Sequence, residues 1–333
     1  MSPEVTRIGL IGATGVAERA LLAPARCRAD VEVRAVAAGT PERAAAFRAR
    51  HGLPVAHTGY RALLDDPAID TVYISLHNSA HARWAVAAAE AGKNVVVEKP
   101  LCLGRGELEA MRQAADTTRV RVVEAVMTAG HPWQDAVRSL IATGELGVPT
   151  AVSSRIAFRA PRTSGYRYRP GLGGGAFFDT ASYWLQALQA TVGLDGAVAE
   201  GDSGFEGPNG VDLDFTATLR RPSGPPATLH AALSRQHRAD HEFEFTGGRV
   251  RLRNFLLPAA GRFPVNLVVA PYDGPRRVVS FPATCYYDDQ LDRLLARLSE
   301  PPAGPSPETA QRISLMEDCY RHALRRRDRE AVR

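Results

Sequence analysis

Between Arg7 and Val126 the chain alternates short β-branched apolar runs with amphipathic stretches. The runs are Arg7 to Ile11, Val31 to Ala38, Thr71 to Leu76, Val95 to Val97 and Val120 to Val126. Such continuous apolar character suits parallel strands covered on both faces. Between them, Pro41 to His51 reads as a helix, with Thr40 as N-cap and proline at its first position. Ser79 to Ala91 reads as a second helix, closed by Gly92, and Glu107 to Ala115 as a third. Right-handed crossovers through these helices give a doubly wound parallel sheet, so this part is α/β.

After residue 127 the pattern changes. Trp133 to Thr143 reads as a helix and Val148 to Phe158 as a half-exposed strand. Alternating runs follow at Asp212 to Leu219, Ala227 to Leu233, Glu242 to Phe245, Arg249 to Arg253, Val265 to Val269 and Arg277 to Val279. Strict alternation punctuated by Pro and Gly predicts a large, mostly antiparallel sheet and hence an α+β domain. Pro301 to Pro307 reads as a linker, and Glu308 to Arg326 as a final helix. The expected organisation is a Rossmann dinucleotide-binding domain over 1–126, a substrate and oligomerisation domain over 127–300, and linker plus helix over 301–333. The exposed sheet face of the second domain is expected to be apolar and to pair with another subunit as a homodimer or homotetramer.

A length of 333 residues suits two such domains. No apolar run is long enough to span a membrane, and MSPEVTRIGLIG resembles no signal segment, so a cytoplasmic protein is expected. Cys27, Cys102, Cys285 and Cys319 fit no metal or redox spacing and read as reduced thiols. The net charge of +5 is dispersed arginine with a basic tail at Arg321 to Arg333, read as a helix end. Without a recognised motif or interleaved aromatics, nucleic acid is not expected as a partner. His77 and His81 have helical ligand spacing, as do His237 and His241, but no third ligand accompanies either pair, so no metal is expected.

The turn after the first strand reads Gly12-Ala13-Thr14-Gly15-Val16-Ala17. A strand, a glycine turn and a helix in that order present backbone N–H groups to a pyrophosphate. The usual G-x-G-x-x-G/A pattern is altered, with Thr14 in place of the second glycine. Either the Thr14 hydroxyl bonds a phosphate oxygen or Gly15 supplies the close approach; a plain βα turn is the alternative. At the end of the second strand, Ala38-Gly39-Thr40-Pro41-Glu42-Arg43 offers no acid for the ribose 2′-hydroxyl. Asp30 and Glu32 lie at the wrong end of that strand, and Thr40 and Arg43 can receive a 2′-phosphate. NADP(H) is therefore favoured over NAD(H), with Arg43 as a solvated helix residue the alternative.

Four segments resemble the glucose-fructose oxidoreductase/inositol dehydrogenase/MocA family: the N-terminal turn, Val72 to His81, Ala91 to Leu101 with its Glu98-Lys99-Pro100 element, and Gly173 to Tyr183. The likeness spans nearly the whole chain. Within the family, His131-Pro132 and the stretch from Arg167 to Gly175 look most like the NADPH-dependent deoxysugar ketoreductases. There are departures: His77-Asn78 stands for the common Pro-Asn, Thr128-Ala129 for an aromatic-Arg pair, Ala181 for a glycine, and Gly39 for a basic residue.

The resemblance implies hydride transfer between a nicotinamide and a sugar-type carbonyl or hydroxyl, with Lys99, Asp179 and Tyr183 as the catalytic set. It also implies a cis Lys99–Pro100 bond. Lys99 follows the fourth strand at the ligand-binding edge of such sheets, where a small titratable cation can polarise a carbonyl. Asp179 and Tyr183 are four apart on a helix and share a face. Either Lys99 or Tyr183 delivers the proton. Expected cofactor contacts are Gly12, Thr14, Gly15, Val16, Thr40, Arg43, Leu76, Asn78, His81, Glu98 and Lys99. Arg155, Arg159, Arg162, Arg167 and Arg169, with Tyr166 and Tyr168, read as a solvated loop or as a site for an anionic carbohydrate such as a nucleotide-sugar, Tyr168 and Arg169 being preferred as substrate contacts. Other readings are a cyclic imine reductase of natural-product assembly and a non-catalytic dinucleotide-binding regulator.

Overall fold

The computed structural model describes residues 5–159, 165–233, 236–257 and 261–331. Two compact units result: the chain up to Ala125 together with Tyr287–Ala310, and Val126–Tyr286 together with the chain from Gln311 onward.

The first unit holds β1 (Thr6–Ile11), β2 (Val31–Ala37), β3 (Val55–His57), β4 (Thr71–Ile74), β5 (Asn94–Glu98) and β6 (Val122–Ala125). They form one parallel sheet in the order β3-β2-β1-β4-β5-β6. That is the doubly wound order, and it reverses direction between β1 and β4. Its helices are α1 (Gly15–Ala17) and α2 (Ala23–Ala25), joined by a π-helical turn at Glu18–Leu22, then α3 (Pro41–His51), α4 (Tyr60–Leu64), α5 (His81–Glu90) and α6 (Arg105–Thr118). Thr40 caps α3 by accepting from Arg43 N at 3.3 Å.

The second unit holds α7 (Pro132–Thr143), β7 (Pro149–Ala157), α8 (Ala176–Thr191), β8 (Val198–Asp202), β9 (Asp214–Arg220), β10 (Ala227–Ala232), β11 (Arg238–Phe245), β12 (Gly248–Leu252), β13 (Val265–Pro271) and β14 (Arg277–Phe281). The sheet order is β14-β13-β12-β11-β7-β10-β9-β8, antiparallel except for the β7–β10 pair. Helix α8 lies against β7, β9 and β10.

Two helices end the chain, α9 (Tyr286–Leu298) and α10 (Pro307–Ala331). The sequence reading contains no helix at α9, and it places everything from 127 to 300 in the second domain. The structure moves this segment to the first unit. Leu291 and Leu294 are buried in one core with Ala17, Ala20 and Leu21. Each buried leucine contributes about 1.5–3 kcal/mol. Arg28 pairs with Asp292, and Arg121 with Glu300 at 2.9 Å, which ties the segment down at both ends. Residues of α10 from Gln311 belong instead to the second unit, where Tyr320 packs on Phe177, Phe178 and Phe215.

The open face of the eight-stranded sheet also differs from expectation. It carries Ser153, Arg155, Asp240, Glu242 and Arg251, while Phe243, Val250 and Leu252 turn inward. The face is apolar towards the sheet edge, where Val268 of β13 and the exposed Val278 of β14 continue the row of Arg251, so it is charged at its centre and apolar at that side.

Lys93, just before β5, is a structural residue. Its ammonium is buried and donates to Asp66 O at 2.8 Å and Ile69 O at 2.7 Å. Lys93→Ala leaves two carbonyls without their donor, and we expect a loss of about 1–3 kcal/mol in denaturant unfolding.

Candidate active site

In the first unit the ligand edge is built at the C-terminal ends of β1, β4 and β5. Gly12 has φ +111, and a Cβ there would stand 2.0 Å from Ser75 O, so only glycine lets the turn cross the end of β4. Thr14 is the N-cap of α1. Its hydroxyl accepts from Ala17 N at 3.1 Å and shares a hydrogen bond with Ser75 Oγ at 2.6 Å. Of the two ways to meet a phosphate, the hydroxyl is therefore engaged within the protein, and Gly15 is the open position. A Cβ on Gly15 would meet only Arg19 Nη1, at 3.7 Å. Val16 is half-buried against the core.

At the end of β2, the Arg43 guanidinium lies 3.8 Å from where a Gly39 Cβ would stand. Asp30 and Glu32 pair with Arg28 and Arg34, at 2.7 and 3.1 Å, at the other end of the strand. The donor set at this edge is thus a free-sided glycine turn, an N-cap threonine and an exposed guanidinium, with the Glu42 carboxylate beside Thr40 in the first turn of α3. It fits a dinucleotide diphosphate.

After β5, the Lys99–Pro100 bond is cis, as the resemblance implied. Anchors hold both sides of it. Tyr73 donates its phenol to Glu98 Oε1 at 2.6 Å, Leu101 N donates to Glu124 Oε1 at 3.1 Å, and His81 Nδ1 lies 2.7 Å from Pro100 O. Burial pushes the Glu98 carboxyl up, against the Tyr73 bond and the Lys99 charge that pull it down. Lys99 itself is half-buried.

The His81 ring is buried, with Nε2 3.2 Å from Leu76 O, and burial pushes its pKa down to about 4. A neutral imidazole has one N–H, so the ring can donate to only one of the two carbonyls, and Pro100 O is the nearer. Asn78 is also buried, one turn before it. Among the described residues no group of three or more His, Cys, Asp or Glu side chains is arranged to hold a metal.

In the second unit the glycine run sets the start of α8. A Cβ on Gly174 would stand 2.5 Å from Tyr166 O, so that turn lies directly on the preceding loop. Gly174 N and Gly175 N donate to Arg169 O at 3.1 Å and Arg167 O at 2.8 Å. Gly175 has φ +106, and its missing Cβ makes room for Asp212 Oδ1, 1.9 Å from where that atom would be. Asp212, wholly buried, accepts from Phe177 N through Oδ2 at 2.7 Å and from Ala176 N through its carbonyl at 2.9 Å. It satisfies two of the amides that every helix start leaves unpaired. Sequence reasoning missed it; an aspartate just before the β9 run was the available signal.

Helix α8 then carries Asp179, 3% exposed, and Tyr183, half-buried, one turn apart. Of the arginines in the preceding segment, Arg167 reaches this helix: its guanidinium forms an ion pair with Asp179 Oδ2. The side chain of Arg169, preferred from sequence, is exposed, and Tyr168 is half-buried with its carbonyl accepting from Asn209 Nδ2 at 3.0 Å. Arg155 lies on the open sheet face, and Arg162 falls outside the described residues. At the Thr128-Ala129 departure, Thr128 and Gln134 bond Gln186 of α8 at 3.3 and 3.0 Å, so polar contacts also hold the helix from α7.

Comparison with known proteins agrees with this anatomy. Residues 6–126 match the oxidoreductase family with an NAD-binding Rossmann fold, GFO/IDH/MocA, and residues 135–253 match the GFO/IDH/MocA C-terminal domain. The chain belongs to this family and is an NAD(P)-dependent oxidoreductase. It is 32% identical over 256 residues, 76% of each chain, to dTDP-3,4-didehydro-2,6-dideoxy-alpha-D-glucose 3-reductase of Saccharopolyspora spinosa. It is 29% identical over 311 residues, 92% of this chain and 93% of the other, to D-xylose 1-dehydrogenase (NADP(+)) 2 of Haloferax volcanii. Its fold matches that of a 3-ketoreductase from Actinomadura kijaniata in complex with NADP and TDP-benzene, with a TM-score of 0.87, 24% identity, and 96% and 98% of the two chains covered. Among the described residues no helix is long and apolar enough to cross a membrane.

Burial pushes the Asp212 carboxyl up to about 7, although Phe177 N pulls it down. The folded chain therefore keeps this proton to higher pH than the unfolded chain, where the carboxyl ionises near 4. Stability contributed by Asp212 falls as pH rises between about 4 and 7. We expect Asp212→Asn to gain in thermal midpoint relative to wild type between pH 5 and 8; a constant difference would reject the assignment. Gly175→Ala adds an unfavourable φ, about 1–2 kcal/mol, to a collision with Asp212. Its midpoint and its turnover are both expected to fall.

Proposed function

We propose that this protein is an NADP(H)-dependent ketoreductase acting on a carbonyl of a nucleotide-linked keto-deoxysugar. The observation that carries the reading is α8, where a carboxylate and a phenol share one face of a helix whose start is pinned by Asp212. A polar pair fixed in this way suits a hydroxylated ring. The names of the relatives support a dTDP-linked substrate. Tyr168 and Arg169 are carried forward as contacts for the anionic part of that substrate, and the homodimer or homotetramer belongs to the same reading.

When bound, the cofactor supplies the hydride to the carbonyl carbon. Gly12, Gly15, Thr40 and Arg43 would hold its phosphates, and Glu98 and Asn78 would border the nicotinamide end. Lys99 polarises the carbonyl oxygen as a compact cation. Tyr183 gives its phenol proton to that oxygen, and Asp179 orients a neighbouring hydroxyl of the sugar. A cyclic imine would need no carboxylate and phenol arranged for a ring hydroxyl, and a regulator would have no use for Lys99, Asp179 and Tyr183 together.

Lys99→Ala and Tyr183→Phe are each expected to lower turnover of a dTDP-linked keto-sugar by roughly 100-fold or more, measured by NADPH oxidation. Turnover like wild type in both would sink the mechanism. Arg43→Ala is expected to weaken NADPH binding by about tenfold while leaving NADH binding unchanged, read by cofactor fluorescence. A wild-type preference for NADH would overturn the cofactor assignment.

A further inference from the structure

Proton donation by Tyr183 leaves a charge to account for. A free phenol holds its proton to about pH 10, and the phenolate left behind needs a nearby cation. The second unit provides one in Arg167. The residue sits in the 3-10 turn Tyr166–Tyr168, and its carbonyl accepts from Gly175 N at 2.8 Å. Its backbone is thereby fixed to the start of α8. Its side chain is 25% exposed and leaves the turn over the rings of Tyr166, at 4.9 Å, and Phe158, at 5.7 Å. The guanidinium then pairs with Asp179, and its charge also acts on Tyr183. A solvated loop arginine would have none of these restraints.

We propose that Arg167 is a positioning residue of the reduction: it fixes the Asp179 carboxylate and holds a permanent cation beside the Tyr183 hydroxyl, stabilising the phenolate formed when the proton leaves. This rests on the function proposed above, with Tyr183 as donor. In that step the phenol O–H bond breaks as the product O–H bond forms, and solvent returns the proton after product release. Guanidinium suits the task because it stays charged wherever the phenol titrates, whereas an ammonium would titrate in the same range. Two charged side chains of this unit act on the phenol in opposite senses. Asp179 disfavours the phenolate, and Arg167 both neutralises Asp179 and adds its own attraction. Tyr166, stacked on the guanidinium, is the further titratable group at this cation.

The test is a pH titration of the full-length protein carrying isotope-labelled tyrosine, followed by NMR, with the Tyr183 signal identified by its loss in Tyr183→Phe. Removing a cation must raise the phenol pKa. In Arg167→Gln we expect Tyr183 to titrate roughly one pH unit or more above wild type. The alkaline limb of kcat/KM for keto-sugar reduction should move up by the same amount, and the rate near neutrality should fall about tenfold. Arg167→Met keeps the packing on Tyr166 and Phe158 and carries the same expectation if Arg167→Gln does not fold. Identical Tyr183 titrations in wild type and the folded variant would overturn the proposal. The NMR titration needs no substrate. An upward shift in a protein that turns over no keto-sugar would keep the coupling and reject the substrate reading instead.

Discussion

The contact between Gly175 and Asp212 governs the second unit. The buried Asp212 carboxyl occupies the space that any other residue's Cβ would fill; its Oδ2 takes the amide of Phe177, and the Asp212 backbone carbonyl takes that of Ala176. Helix position follows from that, because a helix start fixed by two hydrogen bonds fixes the axis on which Asp179 and Tyr183 sit. The same glycine run lies on the carbonyls of Arg167 and Arg169. One turn therefore sets the helix, the loop before it, and the ion pair between them. The repeated glycine in the sequence is explained by two separate close approaches, Gly174 to the loop backbone and Gly175 to the Asp212 side chain.

The first unit solves a similar problem by a different device. Lys99 follows a strand and could swing freely, but the cis bond to Pro100 and the bonds at Tyr73, Glu124 and His81 restrict the backbone on either side. Glu98 is drawn into burial by this arrangement, and Tyr73 is its donor. His81 shows how a residue near a site can serve it indirectly. Its burial favours the neutral form, whose one N–H can tie the ring to the Pro100 carbonyl at 2.7 Å.

Much of this was legible in the sequence, for identifiable reasons. Strands and helices with a clean period, such as Val95 to Val97 and Pro41 to His51, depend on local pattern and local caps. The short edge strand Val55–His57 carries too few residues to show a period. Helix α9 has its apolar positions at Tyr287, Leu291, Leu294, Leu295 and Leu298, but Asp288, Asp289, Asp292 and Arg293 dilute the pattern. Its partner surface, formed by Ala17, Ala20 and Leu21, is nearly the whole chain away. Motif and spacing coincide at Lys99, Asp179 and Tyr183, the residues on which the proposed function rests. Arg169 was preferred to Arg167 because it lies nearer α8 in sequence, whereas the guanidinium that reaches Asp179 is that of Arg167. Thr14 was left with two roles open, and its hydroxyl meets that of Ser75, distant in sequence.

The two lysines of this arginine-rich chain flank β5 and show why a cation's shape matters. Lys93 places one ammonium between two backbone carbonyls in a buried corner. A planar guanidinium carries five donors, and in that corner some of them would lack acceptors. Lys99 stands beyond the other end of the strand, next to a buried carboxyl, where a compact charge on a flexible stem can approach a single oxygen. Arginine serves elsewhere: Arg167 meets a carboxylate edge and two aromatic faces, for which a flat and permanently charged group is suited. The division follows from what each cation must touch, so overall composition, which makes lysine rare, leaves it where a small ammonium fits and a guanidinium would not.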